Sequence, residues 1–356
     1  LTVISKKLAK SFDLASTGGF FMQNLNVKFT LITSQNPKIL AKKHYLNDKN
    51  EYICETSAHM SVGIAETITI SSAAEFAKIL KNSKTSNAIC TGITNHEKVN
   101  IVSQNLFKNQ DNTITRTKEY FHFSENERGI LILDYDPPKN SASLSKDEFI
   151  GAIAKIITNF KSYSYVWTTS SSSLIYHNNQ EINGVTGQRL YLFVENSADI
   201  PRSGKNLHDR LWLKNHGYFA VSKSGQALER SIIDISIWQP NHLDFIGGAY
   251  CIAPIHQKPR PFEINEGKLL DTNTILSELS EYEKQQLTEI KTQKKSLIKD
   301  EISSKQQNYK KEISLKILQH KNPHIIEYTD EEILDAELLV ESSLNRILTG
   351  DFIITL

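Results

Sequence analysis

The ten residues GILILDYDPP, positions 129–138, constrain this chain more than any other stretch. The run Gly129 to Leu133 is too short for a helix and reads as a strand buried on both faces. Pro137 and Pro138 end it, because neither can donate to a ladder. Asp134 and Asp136 stand at that end. Residues two apart on a strand share a face, with Cα atoms about 6.6 Å apart. Two carboxylates held that way repel each other, so the pattern calls either for solvent and turn chemistry or for a shared cation. Hard divalent ions take oxygen ligands at roughly 2.0–2.1 Å for Mg²⁺, and paired ions sit ~3.5–4 Å apart, which this spacing can serve.

The surrounding pattern divides the chain into three blocks. Residues 1–120 read as an α/β subdomain: NVKFTLIT and AETITISS alternate like strands, and SAAEFAKILKN carries Ser72 at an N-cap position before helical spacing. Residues 121–265 alternate more plainly. GILILDYD, YSYVWTT and GQRLYLFVE read as strands, SKDEFIGAIAKIITNF and GKNLHDRLWLKN as helices, and ERSIIDISIW and LDFIGGAYCI as closing strands. That β-α-β-β-α-β order suits an α+β split βαβ sheet of the ferredoxin or RNA-recognition-motif (RRM) type. From 276 to 356 the composition turns to Lys, Glu, Gln and Ser, and a helical accessory block is expected, with a first long helix from Ile290 to Gln319. The closing TGDFIITL reads as the opening strand of a further module.

Composition removes several classes. Basic side chains number 41 and acidic ones 40, for a formal charge of +1, so any nucleic-acid surface must be a local patch. Cys54, Cys90 and Cys251 lie far apart, which argues against a zinc finger or a disulfide framework and for a reducing, cytoplasmic setting. No apolar run approaches the roughly 18 residues of a membrane span, so no membrane partner is expected.

Three further features cluster around the aspartate pair in the pattern. Asp234 stands alone in the apolar SIIDISIW, where burying it is costly unless it is paired or bound to metal; the plainer alternative puts it on the solvent face beside Arg230. Ser170 to Ser173 end a strand, and Gly187 and Arg189 open the next one. Backbone N–H groups, hydroxyls and a guanidinium beside an acidic cluster suit a triphosphate cradle, with a flexible polar hairpin the plainer alternative. In this order, Asp134-x-Asp136, the serine loop, the GQRLY strand and the isolated Asp234 resemble motifs I to III of the archaeo-eukaryotic primase superfamily, the primase-polymerases of plasmids, phages and mobile elements. The resemblance covers about residues 115–260.

What the resemblance implies is an RRM-like catalytic sheet with an N-terminal α/β half, synthesising or extending primers by nucleotidyl transfer. Asp134, Asp136 and Asp234 would be the catalytic metal ligands for Mg²⁺ or Mn²⁺. Ser171, Ser172, Ser173, Arg189, His242 and Arg260 would contact nucleotide; Arg189 stands where such proteins usually carry His. Lys258 is a neighbouring basic candidate. The implied partners are a single-stranded DNA template, NTPs or dNTPs, and a replicative helicase fused or associated.

Alternatives from other classes are a relaxase-like nicking protein and a non-catalytic replication initiator. The first needs a His-x-His pair, and YFHFSE supplies only His122. Arg116, Lys118 and Lys223 are basic candidates for template contact, with solvated surface the plainer reading. Lys294, Lys295, Lys299, Lys310 and Lys311 are interleaved with Glu and Gln, the look of either a solvated helix face or a template-holding one.

Overall fold

The computed structural model describes residues 24–56, 59–125, 127–138 and 142–321. The chain is mixed α/β, as its alternation predicts. Its first part supplies strands β1 (Val27–Asn36), β2 (Lys43–Leu46), β3 (Tyr52–Glu55) and β4 (Val62–Ile70), helix α1 (Ala73–Asn82), then β5 (Asn87–Cys90), β6 (Lys98–Val102) and β7 (Thr113–Thr115). The central part follows with β8 (Gly129–Tyr135), α2 (Lys146–Ala154), β9 (Tyr165–Thr169), β10 (Ile175–His177), β11 (Gln180–Asn183), β12 (Gln188–Val194) and α3 (Ile200–Leu213). After it come β13 (Gly217–Val221), β14 (Ala227–Ser231), β15 (Asp244–Phe245), β16 (Tyr250–Cys251), β17 (Ile255–Gln257) and β18 (Phe262–Asn265). Helices α4 (Thr272–Ile275), α5 (Glu281–Ser296) and α6 (Lys299–Lys321) complete the described chain.

Two sheets position everything else. One has the order β15-β5-β1-β4-β6-β7; the other, entirely antiparallel, has the order β18-β9-β12-β8. The second is covered on both sides, which is why all seven residues of β8 are buried and why its sequence is continuously apolar rather than alternating. Tyr135 stacks on Phe149 of α2 on one face. On the other, Phe76 of α1 packs edge-on against Tyr191 and Phe193 of β12, and against Phe29 of β1. One core therefore runs from the first sheet into the second. Local chemistry sets α1 there: Ser72 accepts the Glu75 amide at 3.1 Å, and Phe76, Ala77 and Leu80 recur at helical spacing on the buried side.

Three expectations are corrected, and the polar segment after the serines takes its plainer form, a hairpin. SIIDISIW is not a strand: β14 ends at Ser231, and Asp234 caps a one-turn 3₁₀ helix at Ile235–Ile237. Its side chain, two bonds from the backbone, satisfies the Ser236 amide more cheaply than a ladder would. LDFIGGAYCI is two short strands in different sheets, β15 against β5 and β16 against β2, because the glycine pair Gly247–Gly248 lets the backbone turn between them; Gly248 has φ +76°. The segment after the serines holds a hairpin, β10–β11, turned on Asn178 and Asn179, both at positive φ. The helix expected from Ile290 to Gln319 is two, broken around the exposed Leu297. TGDFIITL lies outside the described residues.

No described helix is long and apolar enough to cross a membrane.

Candidate functional site

The ladder between β8 and β12 pairs Asp134 with Arg189, and that between β12 and β9 pairs Arg189 with Thr168. Paired residues point to the same face, so the guanidinium meets the Asp134 carboxylate directly. Tyr191, two residues on, lies on that face too. Its hydroxyl donates to Asp244 Oδ2 at 2.6 Å, while Arg189 Nε donates to Asp244 Oδ1 at 3.2 Å. Asp244 arrives on β15 from the edge of the other sheet and is 6% exposed. Arg189 thus sits between two buried carboxylates. Desolvation, then the charge of Asp244, pushes the Tyr191 phenol well above its ordinary range, so it stays a donor.

Asp136 continues the same face past the strand end. It opens on a cavity of about 300 Å³ whose wall includes Lys42, Thr56, His59, Ser170, Ser171, Ser172 and Arg189. Its carboxyl is reachable by solvent at the cavity mouth yet crowded by protein. Burial raises its pKa, Asp234 raises it further, and Lys42 works in the opposite direction. It accepts no side-chain hydrogen bond among the described residues. Gly187 backs onto it: a Cβ there would meet Asp136 Oδ1 at 2.7 Å and Tyr135 O at 3.0 Å, so a larger residue would push the acid aside where the serine loop closes.

Asp234 comes to this place through the backbone. Its amide donates to Asp134 O at 2.9 Å, and Trp238 Nε1 donates to Ile132 O at 2.9 Å, so the 234–238 turn covers the outer edge of β8. The Asp234 carboxylate accepts from the Ser236 amide and hydroxyl and lies 3.8 Å from Arg230.

The sequence-derived candidates therefore separate. Asp136, Ser171, Ser172 and Arg189 share one cavity wall; Asp134 lies behind Arg189 and Asp234 beside them. Ser173 is fully buried, its hydroxyl bonded to Ser170 and accepting the Thr186 amide, and it shapes the loop from within. Gln257 holds the same loop by donating to the carbonyls of Ser171 and Ser173. Arg260 is behind the wall, donating to Ile246 O and reaching Thr169 O. His242 is half-buried; burial lowers its pKa against the opposing pull of Asp244 and Asp234. Lys258 instead rests on Tyr176, 3.8 Å from the ring centre. Arg116 donates to Asn241 O, Lys118 is exposed, and Lys223 pairs with Glu312 of α6 at 2.7 Å. His122 makes a β-bridge with Ile93.

Sequence reasoning missed Asp244, Tyr191 and Lys42. Asp244 carried the same signal that singled out Asp234, an acid between apolar neighbours. Tyr191 was legible as the position two beyond Arg189. Nothing in AKK marks Lys42. Among the described residues, no three His, Cys, Asp or Glu side chains are gathered closely enough to hold a metal ion. No family profile, curated protein or solved structure matches this chain.

Proposed function

We propose that this chain is a template-directed nucleotidyltransferase of the primase-polymerase kind, making or extending primers on single-stranded DNA from NTPs or dNTPs. The observation that carries the proposal is that Asp136, the serine loop and Arg189, drawn from three separate strand ends, line one cavity with Lys42. Triphosphate needs cations and N–H or O–H donors; Lys42, Arg189, Ser171 and Ser172 supply them on one side of a carboxylate. The β-α-β-β-α order and the Asp234 turn running along β8 support an RRM-like split βαβ reading of the central sheet. In that reading β18 extends the sheet beside β9.

The proposal includes Mg²⁺ or Mn²⁺. The donor set is all oxygen, which suits a hard cation, and Asp136 is a crowded, unbonded carboxylate whose charge Asp234 opposes. The resemblance names Asp134, Asp136 and Asp234 for it; as they stand here the three are not gathered into a metal site and Arg189 occupies Asp134, so only Asp136 faces the cavity free to take a cation. When bound, it would activate the primer hydroxyl and neutralise charge on the leaving pyrophosphate. The chain's own groups do the rest: Lys42 and Arg189 bind phosphate, Gly187 admits the serine loop, and Phe245 closes the apolar side of the wall.

One observation favours a second reading. Arg189 neutralises Asp134, as a protein that had abandoned catalysis would arrange, which fits a non-catalytic replication initiator. The deciding experiment is primer synthesis and primer extension on single-stranded DNA with labelled NTPs or dNTPs and Mg²⁺ or Mn²⁺. Incorporation lost in the Asp136→Ala variant supports the first reading. No incorporation by the intact chain, with DNA binding retained, supports the second.

A further inference from the structure

The second sheet has an unfinished edge. β18 ends it and pairs with β9 alone, and among the described residues nothing bonds the amides and carbonyls that β18 turns outward. Such a row of N–H and C=O groups is a template for another strand. Beside it, between α2 and the sheet face, lies a groove of about 1120 Å³, with Tyr165 and Glu263 on its floor and Gly151 and Lys161 on its walls. Ile264 points to the other face of β18 and is left 38% exposed.

Charge says what would fit there. Lys161 and Lys268 line the groove, and Lys81 lies on the opposite face of β18; none of the three is in an ion pair among the described residues. Lys268 and Lys81 rest only on the rings of Tyr163 and Phe262. The acids of the groove do not offset them, because Glu263 is taken by Lys146 and the Tyr165 hydroxyl, and Asp147 lies 3.8 Å from Lys146. Gly151 is a separate sign. It stands in the middle of α2, where glycine weakens a helix relative to alanine, yet a Cβ there would meet nothing within 4 Å. No neighbour in the described chain requires the glycine; the room it leaves opens on the groove.

We propose that this edge is a protein-docking site, at which an extended acidic segment of another protein adds to the sheet beside β18, its alternate side chains entering the groove and its carboxylates meeting Lys161 and Lys268. A peptide brings both donors and acceptors at ladder spacing, whereas a nucleic-acid backbone brings phosphate acceptors and leaves the strand carbonyls unmatched. A second copy of this chain would set its own lysines against these, so self-pairing is opposed by like charge. The groove and the serine-loop cavity share no residue, so the site stands whichever chemistry that cavity performs.

The test uses the full chain and three fluorescein-labelled peptides followed by anisotropy: one alternating Glu and Val, one alternating Lys and Val, and a copy of the first with its amides methylated along one edge. The acidic peptide should bind about tenfold or more tightly than the basic one, and methylation should abolish binding by removing the ladder donors. Hydrogen exchange at residues 262–265 should slow when the acidic peptide is bound. Lys161→Glu combined with Lys268→Glu, at two exposed positions, should reverse the preference in favour of the basic peptide. Gly151→Ala should melt higher than the wild type, and Gly151→Gln should lose the acidic peptide while its circular dichroism stays that of the wild type. Equal affinity for the two unmethylated peptides, or full binding by the methylated one, would overturn the proposal, and neither measurement depends on a variant that must fold. Protection of 262–265 by oligothymidylate in place of the peptide would assign the edge to nucleic acid. Protection that rises with protein concentration alone, with a dimer in sedimentation, would assign it to a second copy. Either result overturns the proposal.

Discussion

Two polar clusters line cavities in this chain, and they are finished to different degrees. At the joint between α3 and α5, His208 is 4% exposed and both ring nitrogens are used: Nδ1 meets Ser231 Oγ at 2.9 Å and Nε2 accepts from Trp212 at 3.1 Å. Lys291 bridges Asp209 and Glu229, and Lys294 donates to Asn215 and to the Gly217 carbonyl, while both ammonium groups flank the Trp212 ring. The cavity at that joint is larger, about 530 Å³, yet the groups facing it are largely spent on one another. At the serine loop, the exposed Asp136 faces the cavity with no hydrogen bond from the described residues, so its carboxylate is unspent. A protein tolerates such incompleteness where something else completes it. The first cluster docks a helix; the second is the one to which the proposed function assigns a ligand.

The strongest way to break that contrast is through the acids. Asp134→Ala, Asp136→Ala and Asp234→Ala should each lower nucleotide incorporation by roughly a hundredfold or more, the scale of losing a principal electrostatic group, while circular dichroism shows a folded chain. Near wild-type synthesis by any one of them removes that residue from the site. Asp136→Asn should in addition melt higher at pH 7. The folded pKa of Asp136 is raised, so its ionised form destabilises the fold above the unfolded pKa, and the advantage of the amide should vanish as pH falls below it.

The joint should respond in the opposite sense, in stability rather than synthesis. Trp212→Ala removes a fully buried ring packed against Leu279 and Leu287 and should cost about 3–5 kcal/mol in chemical denaturation. A cost under about 1 kcal/mol would mean that α5 is not docked there. Next comes an acid effect. Burial lowers the His208 pKa from 6.5 to about 4, so its stabilisation is present above pH 6.5 and lost as pH falls toward 4. The loss should reach on the order of 3 kcal/mol, and be absent from His208→Asn. Smallest of all is Lys223→Ala, which breaks an exposed pair with Glu312 and should change stability by less than about 1 kcal/mol. A larger effect would give α6 a structural weight that its exposed face does not suggest.

The lysine-rich block also shows how far composition carries. Its residues read as a solvated face, and Lys295 and Lys299 are exposed as that reading expects. Lys291, Lys294 and Lys305 are instead fasteners, the last donating to Val221 O at 3.0 Å. Sequence spacing could not separate the two sets, because which side of a helix is a seam depends on what lies beside it.

What the sequence determined by itself is local and repetitive. The apolar run of β8, the N-caps Ser72, Ser145 and Ser280 with their acidic partners three residues on, and the alternation of strand and helix all follow from short-range hydrogen bonding and from periods of two and 3.6. Asp134, Asp136 and Arg189 were legible for the same reason, since strand ends and the residues after a polar loop are punctuated by Pro, Gly and Ser. Only the tertiary structure decided their company. Asp234 left its expected strand because a short side chain could cap a turn. Asp244 reached Arg189 because a two-residue strand found the free edge of β5, and Lys42, just before β2, shares a cavity wall with Asp136. Those contacts join residues up to a hundred positions apart, and no window along the chain contains that information.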